Sequence, residues 1–430
     1  MADFRIAAEE VFRRESGRIL ASLIRISGSF DRAEEALQEA LTSALASWPA
    51  RGVPANPGAW IMTAAYRKLI DEIRKDRTRR EHQDLLAHEM DAMTAPPEGE
   101  QDQPAMFYPD DRLRLMFTCC HPALNREAQI ALTLRTLGGL STQEIAKAFL
   151  LPEATLAQRL VRAKRKIQEA RIPCEVPPPH RLQERLASVQ AVIYLIFNEG
   201  YVAAAGTELV REDLCAEAIR LARVLCQLLP NEPENLALLA LLLLHDSRRS
   251  TRMVAGELVT LEEQDRSIWD RAAIAEGLVT LEAALSLGRG FGAARKNTGG
   301  GYQLQAAIAA LHAQAATPEE TDWAQIAALY ERLLERNPSP VIALNHAVAI
   351  AMSAGFKEGL ARIDRLGAAG ALDSYYLFHA ARADLLRRLG RASDATAAYR
   401  RAIGLAGNCV ERNFLERRLR EVLAGPPRVE

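Results

Sequence analysis

Runs of β-branched residues long enough to make strands are scarce in this chain, which argues against a sheet architecture. Ala, Leu, Arg and Glu recur instead, so almost every segment reads as helix and the fold class as all-α. Net charge is nearly absent: 54 basic and 55 acidic side chains leave −1 over 430 residues. The total gives no hint of a polyanion partner. Long apolar runs are missing too. The longest, Leu236–Leu244, falls far short of the roughly 20 residues that span a bilayer, so no membrane partner is expected. The first fifteen residues hold Asp3, Arg5, Glu9, Glu10, Arg13 and Arg14 and no apolar core of a signal peptide. The expectation is a cytoplasmic protein whose six cysteines stay reduced. None of them forms a C-x-x-C pair. Cys119, Cys120 and His121 are adjacent, but neighbouring cysteines do not bond to each other without strain. One such cluster without a second ligand pair is a poor zinc site. Packing is its expected role, and no metal, cofactor or catalytic residue is assigned.

What the chain does have is a charge pattern. Residues 1–80 end in a basic cluster, Arg67, Lys68, Arg74, Lys75, Arg77, Arg79 and Arg80. Residues 81–111 contain no Lys or Arg and carry nine acidic side chains with Pro96, Pro97 and Pro104, the composition of a linker. Residues 112–172 end in a second basic cluster that includes Arg159, Arg162, Lys164, Arg165 and Lys166. Pro173, Pro177, Pro178 and Pro179 then interrupt any helix. Residues 181–430 are helix-rich with no basic concentration. Two basic modules on an acidic tether, followed by a neutral helical block, is the layout that needs explaining.

The second basic module is the more specific. Ser141 followed by Glu144 is a capping box, so a helix starts there. The Leu150–Pro152 segment breaks it. A second helix from about Glu153 places Leu156, Leu160, Ala163 and Ile167 on one stripe. Two short helices with a tight turn match a helix-turn-helix. The second helix leaves Thr155, Gln158, Arg159, Arg162 and Lys166 on its other faces. Polar residues near its start can reach base edges, and the cations can neutralise phosphates of duplex DNA. A merely solvated basic face on a helix pair is the alternative.

The first basic module is a helix over Ala59–Arg80, with Trp60, Ala64, Leu69, Ile70 and Ile73 as its apolar stripe. Arg67, Lys68, Arg74 and Lys75 fall largely on other faces. The Pro- and Gly-rich segment Trp48–Pro57 before it reads as a loop, and Asp31–Trp48 as an amphipathic helix with an acidic start. A basic helix beside a loop suits capture of opened, single-stranded DNA. A three-helix bundle with a solvated basic end is equally open.

In this order the two modules resemble regions 2 and 4 of the sigma-70 family in its compact extracytoplasmic-function form. The segment Ala33–Leu41 looks like the region 2 helix that docks on core RNA polymerase, which implies polymerase binding by Glu34, Glu35, Gln38 and Glu39. Trp60, Ala65, Asp71 and Arg74 match the helix that reads the minus-ten element. The resemblance implies melted-strand contacts for Trp60, Arg67, Lys68, Arg74 and Lys75. Residues 138–168 look like region 4, which binds the minus-thirty-five duplex; Pro152 stands where a capping Ser is common. The phrase Leu115–Leu124 and the long C-terminal block resemble a subgroup in which a tetratricopeptide-like extension modulates the sigma core through a protein or intramolecular partner. Three loose repeats fit that pattern: Ala218, Ala222, Leu225 and Pro230; Ile326, Tyr330, Leu333 and Pro338; and Ala383, Ala395, Tyr399 and Ala402 with Gly407. The glycine-rich segment Gly288–Gly301 lacks a phosphate-loop ending and is expected to be a loop. A conventional helix-turn-helix regulator and a helical-repeat scaffold are the competing readings.

Overall fold

The computed structural model describes residues 3–87, 110–149, 151–202, 210–290, 300–368 and 370–424. The chain forms two compact units, Met1–Val192 and Ile193–Glu430. Helix dominates both, as the scarcity of strand formers requires.

The first unit starts with three mutually packed helices: α1 (Asp3–Ser27), α2 (Phe30–Arg51) and α3 (Pro57–Ala87). Ser29 caps α2, its hydroxyl accepting from the Arg32 amide, and Asp31 complements the helix dipole in the first turn. Ala33, Leu37, Ala40, Ala44 and Trp48 recur every three to four residues and are all buried, which fixes the inward face of α2. The loop after it is shorter than the composition suggests. Pro49 sits inside the last turn of α2, and the chain leaves the helix only at Gly52, whose left-handed φ of 79° is the conformation glycine adopts at no steric cost. Pro57 then opens α3, where its missing amide costs no helical bond. The buried stripe of α3 is Ile61, Ala65 and Leu69, one position off the expected Trp60 and Ala64, which are half-buried. Leu69 is common to both.

α4 (Asp110–Cys119) packs on α1. The acidic stretch is therefore helical at both described edges, with 81–87 in α3 and Asp110–Asp111 in α4; residues 88–109 lie outside the described residues. α5 (Arg126–Thr136), α6 (Thr142–Ala148) and α7 (Glu153–Glu169) pack on one another. The capping box is reciprocal. The Glu144 amide donates to Ser141 Oγ at 3.1 Å, and the Ser141 amide donates to Glu144 Oε2 at 2.7 Å. Pro152 is the N-cap residue of α7 and makes no side-chain cap, yet the helix holds because Leu156, Leu160, Ala163 and Ile167 are buried. The division between the units falls inside α8 (Pro179–Tyr201).

The second unit is built on α9 (Glu212–Leu228), α10 (Pro233–Asp246), α11 (Arg271–Gly290), α12 (Gly301–Gln314) and α13 (Trp323–Arg336). It continues with α14 (Pro340–Ala354), α15 (Phe356–Gly367), α16 (Tyr376–Arg388), α17 (Ala392–Leu405) and α18 (Cys409–Ala424). α10 is apolar on every side and is buried between α9, α11 and α12, the only surroundings such a helix tolerates. A short antiparallel hairpin, β1 (Met253–Val254) with β2 (Glu257–Leu258), turns through Ala255 and Gly256, both at positive φ. Gly288–Gly290 finish α11 and Gly301 opens α12; residues 291–299 lie outside the described residues. From α13 onward each helix packs against the next. Gly359 is needed there, because a Cβ would meet the Ala347 carbonyl oxygen at 2.9 Å where α15 crosses α14. Ala383, Ala395, Tyr399 and Ala402 lie buried where α16 meets α17, the small-residue contact a helical-repeat pair requires. Among the described residues no helix is long and apolar enough to cross a membrane.

Candidate nucleic-acid and polymerase faces

α7 turns its apolar stripe inward, so the opposite face is polar by necessity. Thr155, Gln158, Arg162 and Lys166 are exposed at spacings of three and four, which align along one side of the helix. Arg159 differs from them. It is half-buried, and its guanidinium meets Glu127 of α5 at 2.8 Å. Four of the five expected duplex contacts thus stand open, while the fifth also ties α7 to α5.

On α3, Arg67, Lys68, Arg74 and Lys75 are all exposed. Arg67 with Arg74, and Lys68 with Lys75, sit seven residues apart and therefore on the same faces of the helix. Lys68 reaches Glu39 of α2 at 3.2 Å, with both side chains about half exposed. Such a pair contributes little energetically, but it places a candidate minus-ten residue beside a candidate polymerase residue. Trp60 packs edge-on against Trp48, with ring centroids 5.7 Å apart, and keeps part of its area accessible. Beyond Lys75 the side chains of the basic cluster lie outside the described residues.

On α2, Glu35, Gln38 and Glu39 are exposed, and Glu34 is not. Lys164 of α7 donates to Glu34 Oε2 at 2.9 Å and to Asp31 Oδ1 at 3.1 Å. Side-chain exposure falls to 14% for Lys164 and 17% for Glu34. The cationic helix of the second module therefore covers one of the acidic positions of the first. Asp111 fixes the same unit from another side. Buried at 2% exposure, it accepts from Ser22 Oγ at 2.9 Å and pairs with Arg25 of α1 at 3.1 Å. Gly17 of α1 lies so close to Leu137 that a Cβ would meet the Leu137 oxygen at 2.8 Å. None of these contacts was legible in the sequence. They join residues 86 to 133 positions apart, and no local pattern marks the partners.

Cys119 and Cys120 pack in the interior, and His121 beside them is half-buried. Both thiols are buried. The Thr136 hydroxyl gives its proton to the Leu132 carbonyl at 2.7 Å, so the Cys119 thiol donates to Thr136 Oγ1 at 3.3 Å. Burial raises the Cys119 thiol well above its usual value and pushes the Cys120 thiol up to about 11. His121 Nδ1 accepts from the Ala123 amide, and burial, helped by Arg185, lowers its pKa. The cluster offers neither a thiolate nor a base facing one. Native chain treated with iodoacetamide at pH 7.5 should leave both residues unmodified over a period that saturates unfolded chain, as read by peptide mass spectrometry. Rapid alkylation of either would contradict the packing role. A raised thiol stabilises the fold fully below the unfolded value near 9, and that contribution is lost as pH rises through about 11.

Comparison with known proteins gives these faces their context. Residues 11–79 match sigma-70 region 2 and residues 114–167 match sigma-70 region 4. Residues 185–285 match a family of unknown function, DUF6596. An uncharacterized protein of Rhizobium meliloti is 43% identical over 413 residues, covering 95% of this chain and 94% of the relative. A probable ECF RNA polymerase sigma factor, SigI, of Mycobacterium tuberculosis is 31% identical over 164 residues. That alignment covers 37% of this chain and 54% of the relative.

Proposed function

The chain belongs to the extracytoplasmic-function (ECF) branch of the sigma-70 family and carries a long helical C-terminal extension. From that premise we propose that it binds core RNA polymerase through α2, holds the melted minus-ten strand with α3 and grips the minus-thirty-five duplex with α7. Glu34, Glu35, Gln38 and Glu39 are the polymerase-docking residues. Trp60, Arg67, Lys68, Arg74 and Lys75 face the opened strand, and Thr155, Gln158, Arg159, Arg162 and Lys166 face the duplex. The functional bounds are 1–80 for strand and polymerase binding, 81–111 for the acidic linker, 112–172 for duplex binding and 181–430 for modulation. Covalent chemistry belongs to the polymerase, and none is assigned to this chain.

The observation that carries this reading is the pair of solvent-facing cationic surfaces on α3 and α7, within the two segments that match regions 2 and 4. The Lys164 contact adds a condition. While Lys164 sits on Glu34 and Asp31, that part of α2 is closed to a partner. Polymerase binding then exchanges an internal ion pair for an external one, and free chain binds DNA weakly. Footprinting tests this. Chain plus core polymerase should protect two promoter segments, with permanganate-reactive thymines at the downstream one, and chain alone should protect neither. Tight duplex protection without polymerase would favour a conventional helix-turn-helix regulator instead.

The extension is the modulating part of the proposal, acting on the sigma core or on a protein partner. Truncation after Tyr201, which keeps α8 whole, should change promoter output at least several-fold while polymerase pull-down persists. Unchanged output would remove the modulating role.

A further inference from the structure

The second unit contains a cavity of about 330 Å³ that none of the sigma functions uses. It lies between α8, α10, α12, α13 and α14, and its volume sits at the small end of the roughly 300–1,000 Å³ typical of ligand sites. Its apolar lining is aromatic as well as aliphatic, with Tyr194, Trp269 and Tyr330 contributing ring surface. Among the described residues that line it, Arg248 alone carries a formal charge, and no Asp, Glu or Lys does.

The polar groups converge with few internal partners. Arg248 donates from Nε to the Tyr201 hydroxyl at 2.9 Å and from one terminal nitrogen to His245 Nδ1 at 2.9 Å. Its other terminal nitrogen has no partner among the described residues. Because His245 Nδ1 accepts, the proton of that neutral ring lies on Nε2, which becomes a donor. His312 also lines the cavity, and its Nδ1 is buried with no hydrogen-bond partner. A buried polar atom left alone in a folded chain is uncommon and calls for a partner the chain does not supply. Burial, with Arg248 next in effect, holds His245 well below its usual pKa. Burial and the fields of Arg248 and Arg266 push His312 down to about 3. Burial pushes the Tyr330 phenol up to about 12, so it stays a donor. The positive field of Arg248, which adds to burial in keeping both imidazoles neutral, is the field an anion would meet on entering.

We propose that this cavity binds a small aromatic carboxylic acid, its ring against Tyr194, Trp269 and Tyr330 and its carboxylate on Arg248. Arg248, with no carboxylate among the described lining residues, disfavours a cation. A purely apolar ligand would leave the remaining guanidinium nitrogen and His312 Nδ1 without a partner.

Indole-3-carboxylate and its carboxamide are the probes, titrated calorimetrically into full-length chain without polymerase. The acid should bind saturably, and the amide at least tenfold more weakly. Arg248→Gln should cost at least tenfold in affinity for the acid and little for the amide. Ala309→Leu, which adds volume at a lining position while leaving every polar group in place, should weaken both probes at least tenfold. Far-UV circular dichroism confirms that each variant is folded, and Tyr330→Phe, which removes one hydroxyl, serves as a milder third change. Equal affinity for acid and amide, no binding of either, or wild-type binding by both Arg248→Gln and Ala309→Leu would each overturn the proposal. The readout is independent of transcription, so its failure would leave the sigma reading untouched.

Discussion

Replacing Arg162 and Lys166 together by Ala should abolish promoter-dependent transcription while leaving the fold intact. Both side chains are exposed on α7 and stand four residues apart, so they present cations to the same stretch of duplex. Neither belongs to the buried stripe Leu156–Leu160–Ala163–Ile167 that seats the helix. A base contact is worth about 1–3 kcal/mol, and losing a phosphate contact lowers the salt slope by about one. Two lost contacts therefore cost roughly 2–6 kcal/mol, which is about 30-fold to more than 10⁴-fold in promoter affinity if they add. Thermal unfolding should move by less than about 1 kcal/mol, as for other exposed substitutions. Electrophoretic mobility shifts of the holoenzyme across a salt series read both the loss and the slope. Undiminished promoter binding would show that α7 does not face DNA.

Glu34→Lys should act twice. It removes an acidic group from the proposed polymerase face and sets two ammonium groups against each other where Lys164 now donates at 2.9 Å. A hydrogen bond to a charged group contributes about 1.5–3 kcal/mol, so the first unit should be destabilised by a comparable amount. Polymerase binding should fall at least tenfold. The double variant Glu34→Lys with Lys164→Glu separates the two effects. Restoring opposite charges recovers the internal pair and the melting temperature, but polymerase affinity stays low because the acidic group has left α2. Recovery of both together would mean that Glu34 serves only the fold.

The local elements of this protein could be read from its sequence because their causes are local. Ser141 and Glu144 announce the start of α6 through a three-residue spacing, and both of their hydrogen bonds are present. Leu156, Leu160, Ala163 and Ile167 announce the inner face of α7 through helical periodicity. Local pattern misleads where one residue type can serve two environments. Trp60 has the size of a core residue, yet it rests against Trp48 at a partly open edge while the smaller Ile61 goes inside. Pro49 has the chemistry of a helix breaker, yet α2 carries it in its last turn and runs on to Arg51. The contacts that shape the candidate faces were out of reach altogether. Lys164 finds Asp31 and Glu34, and Asp111 finds Ser22, only through tertiary packing. The cavity gathers residues from 194 to 345, on five helices and on the connection between α10 and α11, without a motif among them.

Run-off transcription with purified core polymerase, on a linear template carrying a promoter found by genomic footprinting, tests the central claim most directly. A discrete transcript that depends on this chain, and that disappears when the α7 cations are replaced, is the predicted result. No specific initiation from the wild-type chain, with or without its extension, would contradict it.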